Sequence, residues 1–187
     1  MRTVLNGPIP PEVQHLLSRR RALGLDCFDE VWDGEYHMNP SPNARHGQVQ
    51  FQLAVLLDPL LRSAGLIPIL EFNLGVEGNY RVPDLGGLRR PTSATWVDDA
   101  ALVVEVLSPD DEAYDKFAHF AEFGVAEVMV VDPDGRSVRL FRRRKAELAP
   151  SPQGEGPRDR LDPFTETPFS ELLGLEVAGL SACLDWI

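Results

Sequence analysis

The fold is decided by residues 100–132, AALVVEVLSPDDEAYDKFAHFAEFGVAEVMVVD. They begin with a continuous apolar run around one acid, Glu105, which is typical of a buried central strand. The next segment predicts a helix, because Ser108 can cap it, Pro109 can occupy its first position and Gly124 can end it. EVMVVD, at the end of the stretch, predicts a second strand. A strand, a helix and a strand in this order predict a sheet with helices packed against it.

A longer helix is predicted upstream, over HGQVQFQLAVLLDPLLRSAG at residues 46–65. Leucines recur along it at helical spacing, and Gly65 ends it. Pro59 lies inside the pattern and is expected to kink the helix or divide it in two. Further upstream, a pair of prolines introduces a short amphipathic helix over residues 12–23. Between the two helices, apolar and polar residues alternate on either side of Asp33-Gly34, which predicts a β-hairpin.

The other segments predict strands and one loop. Residues 66–76 are typical of a strand, and residues 80–88 predict a short strand that gives way to a glycine loop at Gly86-Gly87. Residues 137–144 are predicted to complete a hairpin with EVMVVD. Residues 150–168 are rich in proline, glycine and charge, which predicts a mobile loop. The segment after this loop is expected to pack back onto the fold as a helix or strand.

These elements predict an α/β fold with a mixed central sheet flanked by helices. The length of 187 residues fits a single domain over residues 1–187, with residues 1–25 as an N-terminal helical extension. Hydrophobic residues make up 43% of the chain, and only two cysteines are present, which favours a reducing compartment without disulfides. No apolar stretch approaches the roughly 20 residues of a membrane-spanning helix, so we expect a soluble cytoplasmic protein.

The formal net charge of −11 weighs against one class of function. Strong nonspecific binding to nucleic acid depends on Lys and Arg side chains that neutralise phosphates. The charge remains compatible with a local basic surface, or with a metal ion that bridges acidic side chains to phosphates.

Four side chains are candidates for chemistry, each with a simpler alternative. Glu105 lies in a buried run, where its charge must be paired or must hold a metal; an ion pair with arginine is the simpler alternative. Asp84 lies between a proline and a glycine pair, a pattern that alone favours an Asx turn. Lys116 falls within about 45° of the centre of its helix's apolar face, with snorkelling as the alternative. His46 is predicted to face inward, where a lone histidine is more often a core or capping group than a ligand.

Together these residues suit the hydrolysis of a phosphodiester. Two carboxylates can hold Mg²⁺ through oxygen ligands. The metal can polarise a phosphoryl oxygen and lower the pKa of a bound water. A lysine beside them can orient that water or stabilise the negative charge that develops on the phosphate. Strand alternation predicts that Glu71 shares an inward face with Ile67 and Ile69, so Glu71 is a further candidate metal ligand.

Several motifs occur in a recognisable order: EVWDGEYHMNPSPNARH, RVPDL, VVEVLSP and DKFAHFAEFGVAEVMVVDP. This ordered set resembles the Uma2 family, formerly a domain of unknown function, within the PD-(D/E)xK restriction-endonuclease-like superfamily. The resemblance spans roughly residues 28 to 142. It implies a restriction-endonuclease-like core.

Residue by residue, the resemblance implies that Asp84 and Glu105 are the metal-binding acids. The superfamily's usual lysine lies two residues after the second acid, where this chain has Leu107. Members of the family resemble a variant of this motif, in which the lysine lies on the next helix, eight residues before a glycine. Lys116 occupies that position in this chain. His46 matches a histidine that recurs at the start of the family's first core helix.

The leading hypothesis is therefore an endonuclease, dependent on Mg²⁺ or Mn²⁺, that hydrolyses DNA. Asp84 and Glu105 hold the metal, Lys116 assists the attacking water and His46 supports the site. The alternative is a catalytically inactive nuclease-fold module for binding or regulation, which the net charge and Leu107 favour. The resemblance also implies a homo-oligomer, as a dimer. The sequence does not distinguish DNA from RNA as substrate.

Overall fold

The computed structural model describes residues 3–5, 7–109, 112–144 and 163–184. The helices within these ranges are α1 (Pro11–Ala22), α2 (Ala44–Ser63), α3 (Phe117–Glu122) and α4 (Val177–Cys183), and a 3-10 helix (Ala113–Lys116) leads directly into α3. The strands are β1 (Thr3–Leu5), β2 (Glu30–Trp32), β3 (Glu35–Met38), β4 (Ile67–Leu70), β5 (Asn73–Val76), β6 (Asn79–Arg81), β7 (Leu85–Leu88), β8 (Trp96–Val97), β9 (Leu102–Val106), β10 (Glu127–Asp132), β11 (Ser137–Arg143), β12 (Phe164–Thr167), β13 (Phe169–Ser170) and β14 (Leu175–Glu176).

The strands form two large sheets instead of the single one predicted. The central sheet has the order β12-β11-β10-β9-β7-β4, and its only parallel pair within the described residues is β9 with β10. The second sheet has the order β1-β3-β2-β6-β5-β8, in which β5 and β8 are parallel. Strands β13 and β14 pair separately. The predicted α/β class with a mixed central sheet is confirmed.

Strand β9 is the buried central strand that its apolar run predicts, and all five of its residues are buried. Its side chains alternate between two apolar clusters. Leu102, Val104 and Val106 pack in the cluster that includes residues of α2 and α4. Val103 packs on the opposite face with Phe117 and other residues from α3 and the second sheet. Helices therefore cover both faces of the central sheet, and Glu105 shares the face of Val103.

Helix α2 packs an apolar stripe against the first face of the central sheet. Val49, Leu53, Leu57 and Leu61 recur at helical spacing and are at most 1% exposed. Burial of each stabilises the fold by about 1.5–3 kcal/mol. The Asn43 side chain caps the helix by accepting a hydrogen bond from the His46 N–H at 3.0 Å. The helix continues through Pro59, so the expected division in two does not occur.

The glycine loop predicted after Asp84 is a buried strand, β7. Gly86 and Gly87 are needed there for close packing, since a Cβ atom on Gly86 would lie 2.7 Å from the Phe72 ring and one on Gly87 would lie 2.6 Å from Leu61. The tendency of glycine to form turns suggested a loop. In this strand, however, glycine is required because the close packing leaves no room for a side chain.

Two predicted elements have different bounds in the structure. The single strand predicted over residues 66–76 is divided between the two sheets, because the chain bends at Glu71, which has a φ of 43°. The helix predicted from Ser108 starts at Ala113, as a 3-10 helix, and continues as α3. Ser108 and Pro109 precede the helix, so they do not cap or open it.

The remaining expectations have mixed outcomes. The hairpin at Asp33-Gly34 and the hairpin of β10 and β11 are confirmed. Helix α1 begins at Pro11, but it buries none of its residues, so it is not amphipathic in the way predicted. The N-terminal extension also contains a strand, β1, which pairs with β3. In the predicted loop at 150–168, residues 150–162 lie outside the described ranges, while β12 occupies the later part.

Candidate active site

A cleft of about 400 Å³ contains the four principal candidates. Asp84, Glu105, Lys116 and His46 all line it, although they come from four separate segments of the chain. The loop between β3 and α2 forms its rim. The cleft is lined by Phe28, Glu30, Asn39, Pro40, Ser41, Pro42, Asn43, His46, Val82, Asp84, Glu105, Val106, Ser108, Pro109, Glu112 and Lys116. The predicted convergence of the four residues on one cleft is therefore observed.

Glu105 and Lys116 form a buried ion pair at the floor of the cleft. The Lys116 ammonium donates to the two Glu105 carboxylate oxygens at 3.2 and 3.3 Å. Glu105 is 4% exposed and Lys116 8% exposed. The inward direction predicted for Lys116 is confirmed, although its backbone is 3-10 instead of α-helical. Snorkelling to bulk water is therefore not the role of this side chain.

Glu30 is a third acid in the cleft, and the sequence reasoning did not select it. Its Oε1 atom lies 3.0 Å from the Lys116 ammonium. It accepts hydrogen bonds from the Val82 N–H at 2.8 Å and from the Trp32 indole N–H at 2.7 Å. Burial opposes the ionisation of Glu30, but the Lys116 ammonium and the Val82 N–H outweigh burial and hold its pKa below the usual value.

A signal for Glu30 was present in the hairpin motif. Glu30 and Trp32 are two residues apart on β2, so their side chains lie on one face of the strand. A carboxylate on the same strand face as a large aromatic must be buried with partners or leave the core. The partner, Lys116, is far away in the sequence, which is why local alternation did not identify it.

Asp84 is fixed opposite Glu105 by the central sheet. The antiparallel register pairs Leu85 with Val104, and continuing it by one residue places Asp84 opposite Glu105. The Val106 N–H donates to Asp84 Oδ2 at 2.7 Å. This bond crosses to a neighbouring strand, so the side chain does not form the simple Asx turn that was the alternative.

His46 contacts the other oxygen of this carboxylate. Its Nε2 atom lies 2.9 Å from Asp84 Oδ1. Its Nδ1 atom lies 3.4 Å from the Ser108 hydroxyl. The histidine is 8% exposed and is positioned by the first turn of α2. The inward direction predicted for His46 is observed, and the ring is placed to orient the carboxylate of Asp84.

The inward direction predicted for Glu71 is wrong. The bend at this residue takes it out of strand β4, so the alternation from Ile67 and Ile69 no longer applies. Glu71 is exposed and lines a different cleft. Its carboxylate accepts a hydrogen bond from Gln50 at 3.2 Å, and the same amide donates to the Asp84 backbone carbonyl. The position of Glu71 therefore gives no support to a role as a metal ligand.

The donor atoms in the cleft match the preference of Mg²⁺ for oxygen. Within the described ranges, no group of three or more His, Cys, Asp or Glu side chains is placed to hold one metal ion. A metal here would have two protein carboxylates, Asp84 and Glu105, and would take further oxygens from water and substrate, as Mg²⁺ commonly does. Four carboxylates, from Glu30, Asp84, Glu105 and Glu112, line the cleft with one ammonium, from Lys116, and this excess of acid favours the binding of a divalent cation.

Two further predictions concern the whole molecule. Cys27 and Cys183 are free and exposed, as expected for a chain without a disulfide framework. None of the described helices is both long enough and apolar enough to cross a membrane.

Comparison with known proteins identifies the family. The profile of the Uma2 family, described as "Putative restriction endonuclease", matches residues 27–175. No protein among the curated ones matches the chain. One similar crystal structure is described as a putative nuclease belonging to DUF820 from Anabaena variabilis ATCC 29413. It has a TM-score of 0.59 and 17% sequence identity, and the match covers 83% of this chain and 90% of that chain. The family match covers most of the sequence, so this chain belongs to the Uma2 family.

Proposed function

We propose that this chain is a Mg²⁺-dependent endonuclease that hydrolyses phosphodiester bonds in DNA. The observation that carries the proposal is the convergence of Asp84, Glu105 and Lys116 on one cleft. Membership of a family described as "Putative restriction endonuclease" supports it. Mn²⁺ is expected to replace Mg²⁺, because both take oxygen ligands.

Asp84 and Glu105 would hold the metal at the floor of the cleft. When bound, the ion supplies a polarised phosphoryl oxygen and a water of lowered pKa. Glu105 lies on β9, and Asp84 immediately precedes β7, the neighbouring strand of the buried sheet, so the sheet fixes the backbone of both acids. The contacts from Val106 N–H and His46 hold the Asp84 carboxylate in one orientation, which reduces the reorganisation needed to bind a cation.

Lys116 is proposed to act on the substrate. Its ammonium is buried at the floor of the cleft and contacts Glu105, so it lies next to any phosphate that approaches the metal site. A cation held in place there stabilises the negative charge that grows on the phosphoryl oxygens, and it costs no reorganisation during the reaction. The lysine can also donate a hydrogen bond that orients the attacking water.

The acidic character of the chain sets a condition on this activity. With a net charge of −11, the protein lacks the overall positive field that draws DNA to many nucleases. The metal would have to provide a large part of the attraction at the cleft. We therefore expect weak binding to DNA without a divalent cation and stronger binding with one.

The first experiment is cleavage of supercoiled plasmid DNA with Mg²⁺ or Mn²⁺, comparing the wild type with Asp84→Ala. The variant is expected to lose more than about 100-fold in rate, because loss of a hydrogen-bond partner of a metal-binding side chain alone already costs about 10- to 100-fold. Asp58→Ala is the matched control, because Asp58 is a partly exposed acid on α2 that pairs with Arg62 outside the cleft. It should cleave like the wild type.

The other outcomes have definite meanings. Equal cleavage by the wild type and Asp84→Ala would refute the assignment of this site. No cleavage by the wild type with either metal, on supercoiled, linear or single-stranded DNA, would favour the alternative of a non-catalytic binding module. Leu107, which stands where the superfamily usually has its lysine, is the feature that favours this alternative. The homodimer, the cytoplasmic location and the single-domain organisation remain predictions.

A further inference from the structure

The Lys116 ammonium contacts two carboxylates that belong to different sheets. Glu105 lies on β9 of the central sheet, and Glu30 lies on β2 of the second sheet. The 3-10 helix that carries Lys116 is therefore tied to both sheets at the floor of the cleft. Only one of these two acids, Glu105, is part of the proposed metal site.

Glu30 is held more firmly than a simple counterion requires. Both of its oxygens accept hydrogen bonds from fixed donors, the Val82 N–H and the Trp32 indole. The Trp32 ring itself stacks on His37 at a centroid distance of 4.4 Å, and the Arg81 guanidinium carbon lies 4.6 Å from the Trp32 ring centroid. The carboxylate is 1% exposed. Glu30 therefore cannot turn toward a metal without breaking bonds to its own sheet.

We propose that Glu30 is a positioning residue for the nuclease reaction, which holds the Lys116 ammonium in the cleft when Glu105 turns to the metal. This inference rests on the proposed function. A metal on Glu105 would compete with the Lys116 ammonium for the same carboxylate oxygens. With Glu30 as a second anchor, Lys116 keeps a charged partner and remains beside the reacting phosphate. Glu30 thus acts through Lys116 and does not contact the substrate or the metal.

A double-mutant cycle on DNA cleavage tests this inference. Glu30→Gln keeps the shape of the side chain and removes its charge, and we expect kcat to fall about 10- to 100-fold. The Mg²⁺ concentration that gives half the maximal rate should rise in Glu30→Gln, because Lys116 then competes more strongly with the metal for Glu105, and this rise should disappear when Lys116→Met is added. Lys116→Met should lose at least as much. The variant with both changes should be no slower than Lys116→Met alone, because Glu30 has no effect once its lysine is gone.

Glu127→Gln is the matched control for a purely structural effect. Glu127 is also 1% exposed, and its carboxylate accepts bonds from the Ser170 hydroxyl and the Glu171 N–H, away from the cleft. It is expected to lower the melting temperature without a comparable change in kcat. Combined with Lys116→Met, it should give independent effects that multiply.

Thermal unfolding in EDTA supplies a measurement that needs neither metal nor activity. The loss of melting temperature in the variant with both Glu30→Gln and Lys116→Met should be smaller than the sum of the two single losses, because the pair is already broken by either change. If Glu30→Gln does not fold, Glu30→Met, which also removes the charge, replaces it in both cycles. If Lys116→Met does not fold, Lys116→Gln replaces it.

The outcomes separate this inference from the proposed function. Cleavage by the wild type, together with multiplicative losses for Glu30 and Lys116, would overturn the inference and leave the nuclease assignment in place. A rise in the Mg²⁺ requirement of Glu30→Gln that persists when Lys116→Met is added would make Glu30 a metal ligand and would also overturn it. Absence of metal-dependent cleavage by the wild type would overturn the proposed function, and the positioning role would fall with it.

Discussion

Replacement of Lys116 by methionine should strongly destabilise the metal-free protein. The substitution keeps most of the side-chain volume but removes the ammonium between Glu30 and Glu105, whose side chains are 1% and 6% exposed. Loss of one partner from a buried ion pair costs about 3–5 kcal/mol, because a charge remains buried without compensation. For a chain of this size, that corresponds to a fall in melting temperature of about 6–20 °C.

The loss should depend on pH with a defined sign. In the wild type, the pKa of Glu30 is held below its usual value of 4.5. The ionised Glu30 carboxylate therefore contributes to the free energy of unfolding above pH 4.5, and this contribution is lost only at lower pH. Without Lys116, burial remains as the dominant influence and the pKa of Glu30 rises above 4.5. Protonation then relieves the buried charge. The variant should therefore be closest to the wild type near pH 5 and furthest from it near pH 8.

Urea unfolding followed by circular dichroism, in EDTA at pH 5 and pH 8, measures both effects. Arg90→Met is the control, because Arg90 pairs with Asp98 on the surface, where the side chains are 65% and 71% exposed. Its effect should stay below about 1 kcal/mol at either pH. A loss of less than 1 kcal/mol for Lys116→Met, or an equal loss at both pH values, would refute the view that the ammonium neutralises buried acids.

Two further predictions concern stability away from the cleft. Burial lowers the pKa of His119 to about 4, so the contribution of its neutral imidazole to the free energy of unfolding is present above pH 6.5 and is lost as the pH falls toward 4. His119→Gln can still donate a hydrogen bond to the Leu74 carbonyl, but its side chain does not titrate. The variant should therefore flatten the curve of unfolding free energy against pH by up to about 3 kcal/mol. Gly86→Ala should cost about 1–3 kcal/mol in urea unfolding, because the new methyl meets the Phe72 ring, whereas Gly47→Ala on α2 meets no atom within 4 Å and should stabilise the protein by up to about 1 kcal/mol.

The parts of the fold that the sequence predicted well depend on local patterns. The apolar run of β9, the leucine spacing of α2 and the turn at Asp33-Gly34 each identify their element without knowledge of the remainder of the chain. Lys116 was also placed correctly, since both helical and 3-10 spacing bring it near the apolar face.

The parts that were missed depend on contacts between distant segments. Gly86 lies in a strand because a phenylalanine from another segment fills the space that a side chain would occupy. Glu71 leaves the core because the chain changes sheets there. Glu30 belongs to the cleft because a lysine far along the chain reaches it. Neither periodicity nor propensity contains this information.

The order of the cleft residues along the chain has a consequence for synthesis on the ribosome. Glu30, Asp84 and Glu105 all leave the ribosome before Lys116 does, so the acids exist for a time without the ammonium that pairs with Glu30 and Glu105. Two of them cannot be buried at low cost until that ammonium arrives. The hairpin that carries Glu30 can form early, but its docking over the central sheet must wait until residue 116 has been made. Translation that pauses between residues 105 and 116 would therefore expose an open, acidic intermediate.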